Sequence, residues 1–174
     1  MKMSVKTLGC FALACLVAAC GAAGSVELPG APGTTISRGA LRALDARWPD
    51  AELGTSISAV CPNSTGVPPV AVNGDFNGDG VEDLALWVTS QSTTHLVALI
   101  ARLDGEYTAS QVGGDAIATA GTLEVAPRGS RYELTTLSLD FYFGTDTIVL
   151  RACDQTKTAY LWTGGSFQPS ALAN

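Results

Sequence analysis

Gly74-Asp75-Phe76-Asn77-Gly78-Asp79-Gly80-Val81-Glu82-Asp83-Leu84-Ala85-Leu86 is the stretch from which the rest of the chain can be read. Counted from Asp75, side-chain oxygens stand at positions one, three, five and nine: Asp75, Asn77, Asp79 and Asp83. Gly80 sits at position six, where the chain must turn sharply, and glycine enters a left-handed turn without a Cβ clash. The Val81 backbone carbonyl at position seven would add a further oxygen. Alternate residues of a tight loop aim at a common point, and a hard cation such as Ca²⁺ takes six to eight oxygens at 2.3–2.6 Å. Three carboxylates so close repel one another unless a divalent ion neutralises them. The other reading is a polar, Asx-rich hairpin that binds nothing. Glu82 is expected to point into solvent.

The flanks of the loop read as strands. Val70 to Phe76 enters it, Leu84 to Thr89 leaves it, and Leu96 to Leu103 follows. Asp104-Gly105 is a turn signal before Tyr107 to Val112. Tyr132 to Leu139 alternates approximately. Thr147 to Cys153 and Lys157 to Trp162 form a further pair of strand signals. Gly164-Gly165 then turns into a last short strand around Phe167. One helix is expected ahead of these strands. Ser37 is its cap, Leu41, Leu44 and Trp48 share a face, and Pro49 stops it. The expected fold is mainly β: an antiparallel meander forming a curved sheet or compact propeller-like sandwich, with one short N-terminal helix after a signal peptide.

The motif Asp-Phe-Asn-Gly-Asp-Gly-x-x-Asp-Leu-Ala resembles the FG-GAP/VCBS type of calcium loop found in integrin α-subunit propellers. It departs from an EF-hand at position twelve, where Leu86 replaces the bidentate Glu. The resemblance implies side-chain ligands at Asp75, Asn77, Asp79 and Asp83 and a carbonyl ligand at Val81. A complete propeller needs repeated blades, and the sequence holds one copy of the motif. The tail Tyr160-Leu161-Trp162-Thr163-Gly164-Gly165-Ser166-Phe167 is similar to the closing hairpin of other short exported bacterial proteins with one such loop.

The first residues address the chain to an export route. Lys2 and Lys6 precede an uncharged apolar run from Leu8 to Ala19, the pattern of a secretory signal. Val17-Ala18-Ala19-Cys20 resembles the lipobox of bacterial lipoproteins. The resemblance implies cleavage after residue 19 and a lipid on Cys20, with acyl chains contributing roughly 0.8 kcal/mol per buried CH₂. Gly21, with no Asp beside the lipidated cysteine, implies the outer membrane, facing the periplasm or the exterior. The expected organisation is thus a signal peptide over 1–19, a flexible Gly/Ala/Pro-rich tether over 20–36, and one β-rich domain over 37–174 with its calcium loop at 75–83.

Loss of the leader takes Cys10 and Cys15 with it. Cys61 and Cys153 remain, and in an oxidising compartment a lone pair forms a disulfide. Removing Lys2 and Lys6 deepens the net charge from −6 to about −8, a surface that repels nucleic acid and attracts cations and basic proteins. His95 is the sole histidine. No Gly-x-Ser-x-Gly elbow is present, and a catalytic zinc site needs more imidazole than this chain has. The aromatic residues Tyr132, Phe141, Tyr142, Phe143, Tyr160 and Trp162 read as packing groups.

Three functions fit this reading. The first is a non-catalytic, lipid-anchored, calcium-binding module of the cell envelope that engages a protein or wall component. The second is an inhibitor or immunity protein against a basic, lysozyme-like peptidoglycan hydrolase, by similarity to calcium-dependent, propeller-like periplasmic lysozyme inhibitors. The third is a hydrolase with an unrecognised site.

Overall fold

The computed structural model describes residues 24–29, 31, 33–53, 69–113, 121–135 and 140–173. In chain order the elements are β1 (Ser25–Glu27), β2 (Thr35–Ser37), α1 (Arg38–Arg47), β3 (Glu52–Leu53), β4 (Ala71–Gly74), β5 (Asp83–Ser90), β6 (Thr93–Ala101) and β7 (Tyr107–Gln111). There follow β8 (Gly121–Ala126), β9 (Arg131–Glu133), β10 (Asp140–Tyr142), β11 (Thr147–Ala152), β12 (Lys157–Trp162) and β13 (Phe167–Leu172). The protein is mainly β, antiparallel in every described pairing, with a single helix among the described residues.

Two meanders face each other. In the first, β4, β5, β6 and β7 pair in succession, and β3 adds to the edge of β5 beyond the end of β4. In the second, β8, β11, β12 and β13 pair in order, with the β9–β10 hairpin inserted after β8. Side chains alternate across a strand, and the burial pattern follows. Leu84, Leu86 and Val88 of β5 point toward α1 together with Val97 and Leu99 of β6. Ala85 and Trp87, with Leu96, Ala98 and Ile100, point the other way onto Leu123, Ile148, Leu150, Tyr160 and Phe167 of the second sheet. The second sheet's outer face, with Val149, Ala159 and Leu172, is covered by Tyr132, Phe141 and Phe143. The rings of Phe141 and Phe143 meet edge-on at 5.0 Å. Both faces of β5 and β6 are covered, so these strands read as nearly continuous apolar runs.

The helix forms as its sequence dictates. Ser37 Oγ accepts the Ala40 N–H at 3.1 Å, which satisfies one donor of the first turn. Ala40, Leu44 and Trp48 are buried against the first sheet. The Trp48 N–H still donates to the Leu44 carbonyl, and Pro49 follows.

The stretch expected to be a flexible tether differs over its described residues. Ser25, Val26 and Glu27 pair with Ser37, Ile36 and Thr35 as a hairpin. Leu28, Ala31 and Ile36 are buried in the cluster beneath α1. Burying a Leu or Ile contributes roughly 1.5–3 kcal/mol, which outweighs the flexibility that the Gly/Ala/Pro composition suggests. Residues 20–23, 30 and 32 of that stretch lie outside the described residues, as does the signal peptide expected over 1–19.

Strand boundaries shift in informative ways. β4 ends at Gly74, so Phe76 belongs to the loop, not to the strand entering it. The expected strand over Tyr132 to Leu139 is only β9 at its start, and its 136–139 portion lies outside the described residues. β8 was not anticipated, although Thr122, Leu123, Glu124 and Val125 alternate as a half-buried strand should. Among the described residues no helix is long and apolar enough to cross a membrane.

Candidate functional site

The loop between β4 and β5 begins and ends on one strand pair, with Gly74 opposite Asp83. Its backbone folds onto its own side chains. Asp75 accepts from Gly78 N–H at 2.8 Å through Oδ1 and from Gly80 N–H at 3.0 Å through Oδ2. Asn77 Oδ1 accepts from Asp79 N–H at 2.9 Å, and Asp79 Oδ1 accepts from Val81 N–H at 2.8 Å. The Asn77 amide donates to Asp79 Oδ2 at 3.0 Å. Gly80, expected at the sharp turn, has φ +85°. Gly78, at φ +80°, has a second constraint: a Cβ there would stand 2.8 Å from the Thr145 methyl carbon.

Asp83 is placed differently from its neighbours. It is 1% exposed. Its Oδ2 accepts from Phe76 N–H at 2.9 Å, and its Oδ1 from Ala101 N–H at 2.8 Å. One carboxylate therefore ties the start of the loop to the end of β6. Burial pushes the Asp83 carboxyl up to about 6, even though the backbone donors of Ala101 and Phe76 favour its charged form, and the nearby Asp79 charge adds to the rise. Glu82 is exposed, as expected.

Sequence reasoning missed Asp146. Its Oδ2 accepts from Asp75 N–H at 3.0 Å, and its Oδ1 accepts from Arg128 N–H at 2.9 Å. The Asp146 N–H in turn donates to the Asp75 carbonyl at 3.1 Å. This clamp joins the loop to the connection before β11, 71 residues away in sequence. The one available signal was Gly144-Thr145-Asp146 directly before an apolar strand, which echoes Asp83 at the start of β5.

The loop thus gathers Asp75, Asn77, Asp79 and Asp83 in one turn, but their oxygens accept from backbone amides and, at Asp79 Oδ2, from the Asn77 side-chain amide. Among the described residues no three His, Cys, Asp or Glu side chains are grouped as ligands of one metal ion. None of the described ion pairs involves a loop carboxylate. The donor set consists of hard oxygens alone, the type that suits Ca²⁺ over softer metals. Cys153 is disulfide-bonded. Cys61, its expected partner, lies outside the described residues, as does Cys20. His95 lies on β6, its ring 6.1 Å from that of Trp48, far along the sheet from the loop. Comparison of the chain with protein-family models, with curated proteins and with solved structures finds no match in any of the three.

Proposed function

We propose that this chain is an exported, lipid-anchored, non-catalytic module of the cell envelope, in which the loop from Asp75 to Asp83 binds calcium and stabilises a surface that engages a protein or wall component. The observation that carries this reading is the crowding of three carboxylates and one carboxamide into a single strand connection with no ion-pairing cation among the described residues. Asp75, Asn77, Asp79 and Asp83 would hold the ion, with the Val81 carbonyl. Bound calcium would supply the positive charge that the buried Asp83 carboxylate lacks. The chain's own hydrogen bonds already hold the turn near the required shape, which lowers the ordering cost of binding. An acidic surface suits a basic protein partner, such as a lysozyme-like enzyme, by electrostatic steering. The anchor is Cys20, and the expected address is the outer membrane.

Calcium at about a hundredfold excess over its dissociation constant is expected to stabilise the fold by about 2.7 kcal/mol. For a domain of this size that raises Tm by several degrees. The measurement is a thermal melt in millimolar calcium against chelator. Asp79→Ala should remove the difference while leaving the chelator melt nearly unchanged, because Asp79 is exposed. Equal melts with and without calcium would defeat the reading. The anchor is tested separately: fatty-acid labelling in the native host should be lost in Cys20→Ala, and labelling that persists would place the lipid elsewhere.

A further inference from the structure

β5 leaves the Asp83 loop and reaches its other end at Ser90, roughly 23 Å away at about 3.3 Å per residue. There Gln91 and Ser92 form a two-residue connection, with Ser90 opposite Thr93. Both have positive φ, 51° and 64°. Such turns favour Asn-Gly because side chains are strained in them. Asp50, beside the same end of the sheet, has φ 61°. Residues held in this region cost of order 1–3 kcal/mol each and concentrate at ligand clamps. Across from the turn stands the end of α1, fixed to it by the Ser90 hydroxyl, which donates to the Pro49 carbonyl at 3.4 Å.

Between the two lies a cleft of about 510 Å³ lined by Arg47, Trp48, Ser90, Gln91, Thr93 and His95. On a chain with 16 acidic and 10 basic residues, no described lining residue of this cleft is a carboxylate. Asp50 and Glu52 are close in sequence but neither lines it. Arg47 Nη1 donates to the Ala109 carbonyl at 3.0 Å, and its guanidinium carbon sits 4.9 Å over the Trp48 ring. Arg47 takes part in none of the described ion pairs. Its remaining N–H donors are therefore uncommitted among the described residues, on a side chain held in place by a ring and a strand edge. The His95 ring meets Trp48 from β6, while its backbone is paired opposite Val88; among the described residues neither that ring nor the side chains of Gln91 and Thr93 make a hydrogen bond.

We propose that this cleft binds the oxyanion group, carboxylate or phosphate, of a small ligand. A guanidinium presents paired donors that match either group. An imidazole offers a ring N–H in both protonation states, and Thr93 and Gln91 add neutral donors. Arg47 is the charged anchor, His95 the opposite wall, and the strained turn fixes the donors between them. The site is at the far end of the sheet from the calcium loop and does not depend on it.

The single histidine makes the test direct, because His95 gives the one imidazole resonance of the protein. The full chain is titrated with inorganic phosphate and, separately, with acetate, at fixed pH and ionic strength against sodium chloride. The His95 ring signal is expected to shift and saturate, with affinity on the order of millimolar. Saturation by phosphate alone assigns a phosphate group, and saturation by acetate alone a carboxylate. Arg47→Gln should weaken binding by at least about tenfold, as loss of a charged hydrogen bond predicts. Arg47→Lys, which keeps the charge and the fold but not the fork, should weaken it several-fold. Chelator should leave the titration unchanged, so this result stands or falls apart from calcium binding. A signal that moves no further than in chloride, or that saturates equally in both Arg47 variants, overturns the proposal.

Discussion

Asp83→Ala is expected to cost about 2–6 kcal/mol at pH 7, measured by urea denaturation in chelator. The carboxylate accepts two backbone donors, Phe76 N–H and Ala101 N–H, in a setting from which water is excluded. Removing it strands both, at roughly 1–3 kcal/mol each. The penalty should also depend on pH, with a definite sign. The Asp83 carboxyl lies at about 6 in the folded protein, against 3.8 for the ordinary group. A raised carboxyl binds its proton more tightly in the folded state. Its contribution to stability is therefore greatest below about pH 4 and declines as pH rises toward and past 6. The difference between wild type and Asp83→Ala should be larger at pH 4 than at pH 7, by roughly 2 kcal/mol. Calcium should oppose this decline, because a cation beside the carboxylate favours its charged form. A wild-type-minus-variant difference that stays flat from pH 4 to 7 in chelator would show that Asp83 does not titrate in that window.

The same residue marks what the sequence could and could not reveal. Asp75, Asn77, Asp79, Gly80 and Asp83 were legible because loop chemistry is local: residue type and spacing over nine positions fix which groups can meet. The helix was legible for the same reason, since a cap, a face and a stop all fall within thirteen residues of Ser37. That Asp83 is buried and bonded to Ala101 was not legible, because Ala101 arrives from the far end of β6 through tertiary pairing. Asp146 was hidden for the same reason. The β1–β2 hairpin was obscured by composition. Glycine, alanine and proline suit a tether and also suit a tight turn, and only the burial of Leu28 and Ile36 separates the two. β8 carried a usable alternation in Leu123 and Val125, but it had no turn signal as plain as Asp104-Gly105 to mark its start.

Phe76→Ala is expected to cost about 3–5 kcal/mol, as truncation of a fully buried aromatic ring does. Phe76 belongs to the polar loop by sequence and to the core by packing. It is 1% exposed and lies in the cluster between the two sheets, with Ala85, Trp87, Leu123 and Ile148. The chain makes room for it: a Cβ on Gly74 would stand 2.8 Å from Phe76 Cε1, so the strand must end in glycine for the ring to pass. The Phe76 N–H is held by Asp83. The ring and its amide thus fasten the loop to the core from two sides. Truncation should do more than open a cavity. With the ring gone, Asp75 and Asn77 lose the anchor between them, so the stabilisation gained from calcium should shrink as well. Phe76→Leu, which fills part of the space, should lose less stability and keep more of the calcium response. Leu103→Ala, at a position 83% exposed, should change stability by no more than about 0.5 kcal/mol. If Phe76→Ala were as mild as Leu103→Ala, the ring would not be seated between the sheets. If it were destabilised as expected but kept the full calcium response, the loop would hold its shape without its core anchor, and its internal amide-to-carboxylate bonds would alone account for its order.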